Sequence, residues 1–217
     1  MPRIEPIPLD QLSPQSREII TEGFGDGLYS TQVPLQIFAY KSAQLAGVHQ
    51  ARTGGGKGTL LGGRILELIR IRSAQLGECQ PCMQSRKHDS ITDGDVACLL
   101  APVRGDLTDQ EAMAVEFLDL LSADHHAIDA EFYERMSEVF TAAQIVELGF
   151  VCANTMGLHR FLHTLDLFGT DPPVIAYDPS QVDSAKPDRG GAAAEKADGP
   201  AAEKAEGAAT TAGSVRA

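Results

Sequence analysis

Three observations predict an all-α protein from these 217 residues. Apolar residues recur at helical spacing through most of the chain, strand-like alternation is never sustained, and helix-start signals stand directly before the periodic runs. A hydrophobic content of 43% is ample for one core plus tails.

Residues 1–12 hold three prolines and no periodicity, which predicts an extended arm. Ser13-Pro14 then opens a helix carrying Ile19, Ile20 and Phe24, stopped by Gly25 and Gly27. This arm and first helix, residues 1–29, precede a helical domain expected over 30–171. In that domain Leu35, Ile37, Phe38, Leu45 and Val48 give the next helical run. Thr53-Gly-Gly-Gly-Lys57-Gly-Thr59 fails the phosphate-loop template, because Ala51 stands where its first glycine belongs and Gly58 follows the lysine. It reads as a connector.

Leu60 to Leu76 is apolar on almost every side and predicts a central helix covered by its neighbours. A helix from Pro81 to about Ser90 and another from Thr92-Asp93 to before Pro102 follow. Thr108-Asp-Gln-Glu111 is a capping box for a helix bearing Ala114, Phe117, Leu118 and Leu121. The last two helices are expected at roughly 126–140 and 142–168. Beyond, residues 172–217 read as a disordered low-complexity tail, with Ala-Ala-Glu-Lys-Ala nearly repeated at 193–197 and 201–205 and no apolar face to bury.

The net charge of −12 repels phosphate backbones, and no basic stripe carries interleaved aromatics, so a nucleic-acid partner is not expected. No run of eighteen apolar residues and no signal-like start occur, which predicts a cytoplasmic protein without a membrane segment.

Candidate chemistry concentrates at Glu67 and Cys79-Gln-Pro-Cys82, which hold two of the four cysteines. Gln80 precedes proline, so the simplest reading makes Gln80 the N-cap and puts Cys82 on the free N–H groups of a helix start, where a thiolate is stabilised. Cys79 then lies within disulfide reach of Cys82. The pair reads as a redox couple. A structural disulfide, inert buried thiols and a zinc site remain open beside it. Zinc needs four ligands, and the remaining cysteines, Cys98 and Cys152, are isolated in apolar surroundings. Glu67 has Arg64 and Arg70 at three-residue spacing, so a structural ion pair competes with a catalytic role. His125-His126 beside Asp124 and Asp129 reads as a solvated helix start. His159 and His163, one turn apart, read as a structural pair because Arg160 stands where a zinc protease carries glutamate.

Glu67, eleven intervening residues, Cys79-x-x-Cys82 and a long final helix containing Asn154-Thr-Met-Gly-Leu-His-Arg160 together resemble the AhpD-like alkylhydroperoxidases of the carboxymuconolactone decarboxylase superfamily over roughly residues 30–168. The resemblance implies a helical bundle assembling into a homo-oligomer, commonly a trimer or hexamer, with the thiol site near a subunit interface. It assigns peroxide attack to Cys82, resolution to Cys79 and a proton-relay role to Glu67. Two positions depart from the family pattern, since Pro81 and Arg86 replace histidines. Arg86 lies about 40° from Cys82 around a helix and His88 about 120° away. Arg86 therefore stands either as the holder of the thiolate or as a partner of Glu67.

The expected activity is that of a thiol-dependent, antioxidant peroxidase acting on organic hydroperoxides. Its re-reductant is an external dithiol, which the resemblance suggests is lipoyl; neither a cofactor nor a metal ligand is assigned. A carboxymuconolactone decarboxylase-like enzyme and a non-enzymatic redox-sensing oligomer are the alternatives.

Overall fold

The computed structural model describes residues 1–25, 28–29, 31–53, 58–100 and 107–167. The expected tail at 172–217, most of the glycine-rich connector and the approach to Pro102 lie outside them. Among the described residues every regular element is helical: α1 (Pro14–Gly25), α2 (Val33–Phe38), α3 (Ser42–Arg52), α4 (Gly63–Leu76), α5 (Gln80–Gln84), α6 (Asp93–Cys98), α7 (Asp109–Ala123), α8 (Ala130–Val139) and α9 (Ala142–Thr164). No single described helix is long and apolar enough to cross a membrane.

Helix α4 is central, as its apolar residues on almost every side predict. Ile65, Leu68, Ile69 and Ile71 pack with Val115 and Leu118 of α7, Phe132 and Met136 of α8, and Leu148 and Cys152 of α9. Each such side chain contributes about 1.5–3 kcal/mol when fully buried. A second cluster gathers Ile20, Leu35 and Leu45 from α1, α2 and α3. The run from Leu35 to Val48 is therefore two helices. Lys41 adopts an extended conformation between them, and the break lets Leu35 and Leu45 face Ile20 together. This N-terminal cluster leans on the end of α9 through Phe38 and Phe161, whose ring centroids are 6.3 Å apart.

Side-chain caps fix the starts of α6, α7, α8 and α9. Thr108 and Glu111 form the expected box, and similar boxes at Thr92/Asp95 and Thr141/Gln144 open α6 and α9. Arg64 joins two of these starts to α4, meeting Asp95 at 2.5 Å and Glu111 at 2.7 Å. The N-cap carboxylates of the 124–130 segment are used as caps. Asp124 accepts from the His126 N–H and Asp129 from that of Phe132.

The helix after the cysteine pair is much shorter than its pattern suggests, ending at Gln84 instead of near Ser90. Side chains take the backbone groups that a longer helix would pair internally. Arg70 binds the carbonyls of Cys82 and Ser85, Arg86 binds those of Met83, Gln84 and Ser85, and Glu67 accepts the Lys87 N–H. Ser85 is extended, with φ −73° and ψ 148°.

Candidate thiol site

The site is built on the polar face of α4. Glu67, Arg70 and Ser73 recur every three residues and are all buried. They meet α5 on one side and α9 on the other.

Cys79 and Cys82 are joined as a disulfide, with Cα atoms 5.2 Å apart. Cys79, not Gln80, is the N-cap of α5. Its carbonyl accepts the Met83 N–H at 2.9 Å, so Gln80 and Pro81 fill the first two helical positions and Cys82 the third. Proline without an N–H costs nothing there. The helix has only five residues, so its dipole is a small part of the field at Cys82. Cys79 is 7% exposed, whereas Cys82 is half-buried. Cys82 is the sulfur that an incoming molecule reaches more readily.

Glu67 is 4% exposed and fully engaged. Arg70 grips both carboxylate oxygens at 2.7 Å, and the Lys87 N–H adds a third bond at 2.7 Å. Burial pushes this carboxyl up, but the charge and hydrogen bonds of Arg70 and the Lys87 N–H outweigh it and leave its pKa lowered. Of the two arginines flanking Glu67 in sequence, Arg70 is the partner, because Arg64 is drawn to α6 and α7. Arg70 also donates to the Cys82 carbonyl at 2.5 Å. Glu67 is thereby linked to the cysteine loop through a guanidinium.

Arg86 turns back onto the carbonyls of its own segment and meets Asp93 at 3.2 Å. Its hydrogen bonds go to neither Glu67 nor a sulfur. Lys87 is lowered to about 7, first by burial and then by repulsion from Arg70 and Arg52. Arg52, over the Tyr29 ring at 5.7 Å, adds positive charge from α3.

His159 completes the site. It is 5% exposed, and one of its ring nitrogens lies with both cysteine sulfurs in a group whose members are all within 4.8 Å of one another. Nδ1 is 2.9 Å from the Ser73 hydroxyl. Burial, then the charges of Arg52 and Arg70, lower this imidazole to about 3. It is neutral at ordinary pH and is a poor proton acceptor, yet remains a lone-pair donor. Its neighbour His163 stands 3.9 Å from Glu78 at the cysteine loop.

The close approach of α9 depends on Gly77. A Cβ there would lie 2.9 Å from the His159 Cβ and 3.2 Å from the Ser73 carbonyl oxygen. Glycine is used for contact, and the left-handed turn falls instead on Glu78, with φ 54°. Cys98 and Cys152 are buried elsewhere. Burial pushes the Cys152 thiol up to about 12, which makes it inert.

The structure thus brings Cys79, Cys82 and Glu67 into one neighbourhood, turns Arg86 away, and adds Arg70, Ser73 and His159. The i, i+3 spacing of Glu67 and Arg70 was a visible signal for one of these. Nothing in the sequence joins Ser73 to His159, 86 positions apart.

Among the described residues, fold and site define an all-helical arrangement with a partly buried short-loop disulfide, an arginine on the backbone of Cys82 and a neutral histidine. No family model, curated protein or solved structure matches the chain.

Proposed function

We propose that this protein is a thiol-dependent oxidoreductase that reduces organic hydroperoxides through Cys79 and Cys82. The carrying observation is the disulfide between a buried Cys79 and a more accessible Cys82 whose own carbonyl is held by Arg70. Cations beside a thiol favour its thiolate, which is the nucleophile in both peroxide attack and disulfide exchange. The resemblance of the Glu67-to-Cys79-x-x-Cys82 spacing to AhpD-like alkylhydroperoxidases supports the same chemistry.

In the reduced protein, Cys82 thiolate attacks the distal oxygen of the hydroperoxide. The O–O bond breaks, an S–O bond forms, and the departing alkoxide takes a proton from water to become the alcohol. Cys79 then attacks the Cys82 sulfenic sulfur, forming the disulfide, and hydroxide leaves with the Cys79 proton as water. An external dithiol supplies two electrons and two protons by exchange at Cys82, through a mixed disulfide. Glu67 has a positioning role here. It fixes Arg70, and Arg70 holds the Cys82 segment.

The test counts thiols on the reduced, metal-free full chain before and after sub-stoichiometric cumene hydroperoxide. Loss of two thiols per peroxide, abolished by Cys82→Ser, is expected. In Cys79→Ser the oxidation should stop at a sulfenic acid that a dimedone probe traps. Unchanged thiols in wild type, or full turnover by Cys82→Ser, would overturn the reading.

A further inference from the structure

The peroxide chemistry leaves His159 without a task, although the fold places it with care. Three soft or borderline ligand atoms converge there: the sulfurs of Cys79 and Cys82 and a nitrogen of His159, all within 4.8 Å of one another. They come from the α5 loop and from α9, held together by the Gly77 contact. The imidazole is oriented by a hydrogen bond between Nδ1 and Ser73 Oγ at 2.9 Å. Metal-bound histidines characteristically carry such a second hydrogen bond, which fixes ring orientation and tautomer.

We propose that the reduced form of this site binds one zinc ion through Cys79, Cys82 and His159, with the fourth position open on the more exposed side of Cys82. Two thiolates and one imidazole form a three-protein-ligand set of the kind that leaves a place for solvent. Tetrahedral zinc at ordinary bond lengths holds its sulfur and nitrogen ligands about 3.5–3.8 Å apart. The observed group can reach that geometry by side-chain rotation once the disulfide opens.

Charge balance favours the site. Zn²⁺ with two thiolates is neutral, so its arrival near Arg70 and Arg52 adds no net positive charge. The paired Glu67 already offsets Arg70. In the binding step each thiol gives its proton to solvent as its sulfur bonds to zinc, and nothing is oxidised. Zinc cannot take both sulfurs while they are bonded to one another, so the disulfide excludes it. Binding is therefore gated by reduction. Zinc and peroxide compete for the same two sulfurs, and metal occupancy holds the pair out of peroxide chemistry.

The proposal needs a reducible pair and does not need peroxide turnover. The experiment uses the full chain, reduced with a phosphine, desalted without oxygen and titrated with Zn²⁺ against a chromophoric chelator. Co²⁺ substitution gives a parallel readout through thiolate-to-cobalt charge-transfer absorption. One zinc per reduced chain is expected, with affinity at least about tenfold lower in His159→Gln and in Ser73→Ala. The disulfide form and Cys82→Ala should bind none at this site. Ser73→Ala keeps all three ligands and carries the test if His159→Gln fails to fold. No binding by reduced wild type, binding that survives oxidation or Cys82→Ala, or equal affinity in both histidine-directed variants would each overturn the site. The peroxide assay on metal-free protein is separate, so failure of either reading leaves the other standing.

Discussion

Arg70 holds both oxygens of Glu67 at 2.7 Å while its remaining donors reach over to the carbonyls of Cys82 and Ser85. One guanidinium therefore neutralises a buried carboxylate and fixes the chain around the accessible cysteine. Removing it leaves an uncompensated buried charge, whose cost is about 3–5 kcal/mol. Arg70→Leu should lose roughly that much in urea unfolding of the oxidised protein. A loss below about 1 kcal/mol would mean that Glu67 finds another partner or water.

Acid sensitivity should be set partly by Arg64. Its hydrogen bonds hold Asp95 at about 2 against an ordinary 3.8, with burial opposing and Thr92 assisting. A depressed carboxyl stabilises the fold above its unfolded pKa, and the contribution is lost as pH falls through the folded one. The shift corresponds to about 2 kcal/mol at neutral pH. Glu67, also lowered, acts in the same direction. Arg64→Leu should raise the midpoint of acid unfolding followed by circular dichroism. An unchanged midpoint would remove Asp95 from the account.

Lys87 should titrate near neutrality. Burial and the neighbouring arginines lower it to about 7, so the folded protein disfavours its charged form. Stability is then flat below pH 7 and rises as pH goes from 7 toward the unfolded value near 10.5. Reductive ¹³C-methylation and NMR titration would give one lysine midpoint far below the rest, and its absence in Lys87→Arg would assign it.

Gly77 and Gly149 offer a matched pair. Alanine at Gly77 would put its Cβ 2.9 Å from the His159 Cβ, whereas nothing lies within 4 Å of a Cβ at Gly149. Gly77→Ala should destabilise by about 1–3 kcal/mol, and Gly149→Ala, mid-helix, should gain up to about 1 kcal/mol. Similar melting shifts in both variants would show that α9 does not press on the end of α4.

The all-helical architecture was legible because α4, α7 and α9 each announce themselves by periodicity or capping. The cysteine pair was legible by its spacing. What was hidden depended on competition and distance. Helical pattern after Pro81 could not reveal that Arg70, Arg86 and Glu67 would claim the backbone groups of residues 82–87. The glycine before the pair ends α4 and also admits His159, a contact that no local pattern announces, while Glu78 makes the left-handed turn. His159 itself carried only the i, i+4 spacing to His163, which many structural pairs share.

Helix α4 holds the cysteine loop by its backbone: Arg70 binds the carbonyls of Cys82 and Ser85, Glu67 accepts the Lys87 amide, and the Ala74 carbonyl accepts the Cys79 N–H. None of these bonds involves a sulfur. Making or breaking the Cys79–Cys82 bond can therefore be accommodated by rotation of two side chains while the main chain stays in place. The oxidation state is written in a spot a few atoms wide. A partner that reads it must come close enough to touch Cys82.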